Sequence, residues 1–126
     1  MAAGVPQDRG PIVKFKEGLP VSFNQVELTE RMAQAFKKAL GEENVIQEKP
    51  IMASEDFGYW GQKGKTPTGM FWLGAVGAEQ YRASKEGGAA LPYLHSPLMK
   101  LEPERTVRTG VKAMTAAVLD LMKKKA

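Results

Sequence analysis

The chain has 126 residues, 43% of them hydrophobic and 25% charged, the profile of an ordinary globular domain with room for a modest core. No apolar run approaches the ~20 residues a membrane span needs, the N-terminus lacks the apolar stretch of a secretory signal, and zero cysteines exclude disulfides, thiolate ligands and a cysteine nucleophile together. The net charge of +4 gathers at Lys123-Lys124-Lys125, where cations suit a helix end, whereas nucleic-acid binding would want more arginine on one face with aromatic residues for stacking.

Residues 1–10 are small and polar and read as a loose lead-in. From Ile12 to Lys16, Val13 and Phe15 alternate with Lys14 and Lys16, the pattern of a half-buried strand. Glu17-Gly18-Leu19-Pro20 turns the chain. A helix follows, with Asn24 as N-cap and Glu27 in capping-box position. Leu28, Met32, Ala35, Phe36, Ala39 and Leu40 recur at helical spacing, and Gly41 supplies the stop. Asn44 to Glu48 reads as a short strand closed by Lys49-Pro50.

Ser54 then has the position of a second N-cap, with Glu55 and Asp56 in the first turn, where the helix dipole favours anions. The same acids also read as a carboxylate pair at a strand-to-helix turn, where open α/β sheets place their sites; spacing alone favours the capping role. Gly61 to Thr68 is turn-forming, and Gly69 to Val76 is a continuous apolar run suited to a strand buried on both faces. Gly77 to Tyr93 shows no periodicity and reads as a long loop that delivers His95, the sole histidine. The last helix begins near Pro103 at N1, with Val107, Val111, Met114, Ala117, Val118, Leu121 and Met122 as its apolar stripe. The order of elements is α/β. On its own residues, His95 is open to three roles: a metal ligand, a proton carrier, or a plain core side chain.

Three segments in this order resemble a known family. They are Pro50-Ile51-Met52-Ala53-Ser54-Glu55-Asp56-Phe57, Gly69-Met70-Phe71-Trp72-Leu73-Gly74, and Leu94-His95-Ser96-Pro97 followed by a long helix. Together they are similar to the C-terminal part of metal-dependent amidohydrolases of the hippurate hydrolase, N-acyl-amino-acid amidohydrolase (aminoacylase) and auxin-conjugate hydrolase branch, over roughly residues 11–126. The resemblance implies an α/β fold of zinc-exopeptidase type. Residues 1–19 would be a flexible N-terminus and the last strand of a small inserted lid domain, and residues 20–126 the returning C-terminal half of the catalytic domain.

The resemblance also assigns roles. His95 matches the family's C-terminal metal-ligand histidine, for zinc or, in its place, manganese or cobalt. Ser54, Glu55, Asp56 and Ser96 would line the substrate pocket or bond the ligand's other ring nitrogen. The complete enzyme would cleave the amide bond of an N-acyl amino acid with metal-activated water. The other metal ligands and the general-base glutamate belong to a part of the fold without counterpart in these residues, so the chain alone is expected to be inactive. Its expected partners are the missing N-terminal half, a small N-acyl amino acid and, through the lid, a second copy; neither nucleic acid nor membrane is expected, and the compartment is cytoplasmic. The alternative is a non-enzymatic interaction module or remnant derived from that fold.

Overall fold

The computed structural model describes residues 4–16, 18–53 and 55–124. Among them are three α-helices: α1 (Val26–Leu40), α2 (Ala78–Lys85) and α3 (Pro103–Leu121). Short 3-10 helices lie at Gln7–Arg9, Glu42–Asn44 and Asp56–Gly64.

The α1 helix forms where its periodicity predicts, with Leu28, Met32, Ala35, Phe36 and Leu40 turned inward and Glu30, Arg31, Gln34 and Lys38 in water; Ala39, assigned to the apolar face, is exposed. Its start differs by one residue. Gln25 is the N-cap, its side-chain oxygen accepting the Leu28 N–H at 2.6 Å. Asn24 instead bonds across to a distant stretch of chain. Its amide donates to the Met70 carbonyl at 2.7 Å, and its oxygen accepts the Met70 N–H at 2.8 Å. Gly41 ends the helix with a φ of 94°, a backbone setting that side chains other than glycine rarely adopt, and its N–H donates to the Lys37 carbonyl.

The core sits where α1 crosses α3. Phe36, Ala113 and Ala117 are buried, with Met32, Leu40, Val45 and Phe71 packed around them. The Phe36 and Phe71 rings meet at 4.8 Å between centroids, tilted by 57°, within the range where aromatic edges and faces attract. The α3 helix turns its small residues to this contact; Ala113 is only 1% exposed. Small side chains let the two backbones approach, so burial follows closeness to α1 and not side-chain size. Most of the stripe expected to be buried is therefore outside: exposure runs from 42% at Leu121 through Val118, Met114 and Val111 to 62% at Val107, and Met122 is exposed as well.

The α/β architecture predicted from the sequence, including the final lid strand, is not formed: the described residues contain no β-strand. A strand exists only through ladder bonds to a neighbour, and none of the three candidate segments finds one. Ile12, Val13 and Phe15 stand in solvent. Ile46 is exposed while its neighbour Val45 touches the core. The 69–76 run lies along the helix pair on one side only, with Phe71 and Leu73 inward and Trp72 outward. In place of a strand partner, Met70 has the Asn24 side chain, and the Ala75 carbonyl accepts the Glu102 N–H at 2.9 Å.

The long loop is corrected too, since α2 occupies half of it. This helix shows no apolar stripe because most of it faces solvent, and only its residue types, Ala-Glu-Gln-Tyr-Arg-Ala-Ser-Lys, favour it. It closes on Gly87, at a φ of 90°, with the Gly88 N–H returning to the Ala83 carbonyl at 2.9 Å.

Candidate functional site

His95 sits in the turn Tyr93-Leu94-His95-Ser96, closed by the Ser96 N–H donating to the Tyr93 carbonyl at 3.0 Å. It is the third residue of that turn and has a φ of 69°, the only described residue other than glycine with a positive φ. A type II turn requires this conformation at its third position, where glycine or asparagine is the usual occupant. A histidine there holds the backbone in a sparsely populated region, and such strain concentrates at working sites. The ring is exposed. Sequence reading therefore located His95 but not its constraint, which is a property of φ alone.

Ser96 bonds locally. Its hydroxyl oxygen accepts the Leu98 N–H at 3.2 Å and its carbonyl accepts the Met99 N–H at 3.1 Å, so a second turn follows the first directly. The chain then reaches Glu102, whose N–H is held by Ala75, and enters α3 at Pro103. The imidazole is thereby carried on the first of two consecutive turns that precede α3 in the chain.

Glu55 and Asp56 open the 3-10 helix Asp56–Gly64, as their first-turn position predicts. One Glu55 oxygen accepts the Phe57 N–H at 3.1 Å, satisfying an amide that the start of a helix leaves free. Glu55 is half-buried and Asp56 exposed. Ser54, expected to cap this helix, lies outside the described residues. Among the described residues His95 forms no ion pair with either acid, and no group of three or more His, Asp or Glu side chains converges. A divalent ion needs three or four convergent donors. These side chains do not fit one by themselves.

A shallow groove of about 370 Å³ lies elsewhere, between α1 and α3, lined by Ala35, Lys38, Ala39 and Leu119. It is not lined by His95, Glu55, Asp56 or Ser96. What sequence reading missed is Gly58, whose place inside an apparent helix is a signal of close backbone approach. A Cβ there would stand 2.8 Å from the carbonyl oxygens of both Pro20 and Val21.

Residues 11–120 match the family model described as Peptidase family M20/M25/M40. The chain belongs to that family, whose members are peptidases and amidohydrolases that are generally metal-dependent. No curated protein and no solved structure matches it. No helix among the described residues is long and apolar enough to cross a membrane.

Proposed function

We propose that this chain is the C-terminal portion of the catalytic domain of an N-acyl-amino-acid amidohydrolase of hippurate hydrolase type, acting in the cytoplasm. His95 supplies one ligand to a divalent metal, zinc or in its place manganese or cobalt, and the remaining donors and the general-base carboxylate come from a complementary half of the same fold. Residues from Pro20 onward belong with the catalytic half. Ser54, Glu55, Asp56 and Ser96 border the pocket. The reading rests on the family match over residues 11–120, together with the positive φ of His95 in the turn that precedes α3 in the chain.

A divalent ion needs three or four convergent donors, and we infer that the chain is inactive until a complementary half supplies the rest. The test is complementation. The chain is co-expressed with the N-terminal half of a family member's catalytic domain and assayed on hippurate and other N-acyl amino acids. Amide cleavage that disappears with His95→Ala supports the reading. Absence of cleavage, together with no His95-dependent ion in the complex, contradicts it.

A second reading, a non-enzymatic interaction module, is favoured by one observation: the outward stripe of α3, with Val107, Val111 and Met114 all more than half exposed. Size-exclusion and unfolding of the chain alone separate the two. A monomer with one cooperative transition fits a module, and an aggregating or molten species fits a portion that lacks its other half.

A further inference from the structure

Between Gly18 and Gln25 the backbone is held towards each end by a different stretch of chain. At the near end, the Tyr59 hydroxyl donates to the Gly18 carbonyl at 3.0 Å. Next to it, Gly58 is buried against Pro20 and Val21 so closely that no side chain fits, and the obstructing atoms are backbone carbonyls, which cannot swing away. At the far end, the Thr68 hydroxyl donates to the Phe23 carbonyl at 2.9 Å, the Thr68 carbonyl accepts the Gln25 N–H at 2.8 Å, and Asn24 grips Met70.

We propose that Gly58 and Tyr59 are positioning residues that latch this crossover to the 3-10 helix opening at Glu55 and Asp56. The far end of the crossover is anchored to α1 and the core, so it is fixed whatever happens at residues 56–59. Among the described residues, the near end is held by Tyr59 and Gly58. The direction in which the preceding residues leave the body is thus set by the element that carries the acidic pair, and any ligand that shifts Glu55 or Asp56 is felt at Gly18. That last consequence rests on the proposed reading of the acids as pocket residues; the latch itself does not.

The test is backbone ¹⁵N relaxation of the intact chain and of Tyr59→Phe, Gly58→Ala and, as a control lacking a different phenol, Tyr81→Phe. In the parent and the control, the amides of Leu19 and Val21 should have order parameters near the rigid value of about 0.85. In Tyr59→Phe, Leu19 should fall toward about 0.6, and in Gly58→Ala both should fall below it, with α1 and α3 unchanged. Order parameters at Leu19 and Val21 already below about 0.6 in the parent, or unmoved by both variants, would overturn the latch. Zinc titration followed at the His95 ring, run on the same samples with the complementary half present, reports separately on the metal reading. A latch that fails leaves that signal in place, and a failed metal reading leaves the order parameters unchanged.

Discussion

Arg31 of α1 and Asp120 in the last turn of α3 are 89 residues apart in sequence, yet the guanidinium Nε donates to the carboxylate at 2.7 Å. The same guanidinium also donates to the Asp120 main-chain carbonyl. Lys123 adds a third bond, 3.0 Å to the other carboxylate oxygen. These bonds fasten the open end of a helix pair whose buried core is small.

The Arg31 guanidinium, and after it Lys123, hold the Asp120 carboxyl below its usual carboxylate range. A depressed folded-state pKa means the contribution is complete above the unfolded value of 3.8 and is lost as pH falls through the lower folded value. Thermal unfolding between pH 7 and pH 2 should therefore show a decline below about pH 4 that Asp120→Asn flattens. Both side chains reach solvent, so 0.5 M salt should reduce the difference between parent and variant.

The α1–α3 contact and the outward face of α3 should differ sharply in their sensitivity to substitution. Ala113→Leu forces a larger side chain into the α1 contact and should cost about 1–3 kcal/mol, and Phe36→Ala about 3–5 kcal/mol. Val111→Ser, on the outward stripe, should change the stability of the chain alone by less than about 0.5 kcal/mol. Urea unfolding of the three variants checks this.

Asn24→Ala removes both bonds to Met70 and leaves the 69–76 run without its side-chain partner. A loss of about 1 kcal/mol is expected, since each bond is exposed and water replaces it. Asn24→Asp keeps the acceptor for the Met70 N–H but loses the donor, and should fall between the two in a denaturant titration.

The helices were legible in the sequence where burial imposes a period, as along Leu28, Met32, Phe36 and Leu40. The strands were not, because Val13, Phe15 and the 69–76 run carry strand-like patterns whose realisation depends on a neighbouring strand, and a pattern does not reveal whether its partner is present. The buried face of α3 matches the expected stripe only at Ala117, for a related reason: hydrophobicity ranks Val and Met above Ala, but contact with α1 selects the smallest residues, Ala113 and Ala117. The α2 helix escaped notice because an exposed helix carries no apolar period. Around the candidate site, the sequence marks the helix start at Glu55 and Asp56, which the 3-10 helix Asp56–Gly64 follows. The positive φ of His95, the diversion of Asn24 from capping, and the embrace of residues 18–21 by Gly58 and Tyr59 depend on three-dimensional approach, for which one sequence offers only a glycine in an unexpected place.

His95→Gly separates stability from function. Glycine adopts a positive φ without a Cβ penalty, so the folded chain should be as stable as the parent or more so by up to about 1 kcal/mol, measured by urea unfolding.

The measurement that bears most directly on the account is the metal content of the chain co-purified with the N-terminal half of a family member's catalytic domain, determined by elemental analysis for the parent and for His95→Gly. The account predicts a bound divalent ion in the parent complex and its loss, wholly or in large part, in the variant. Equal ion content in the two complexes would contradict it.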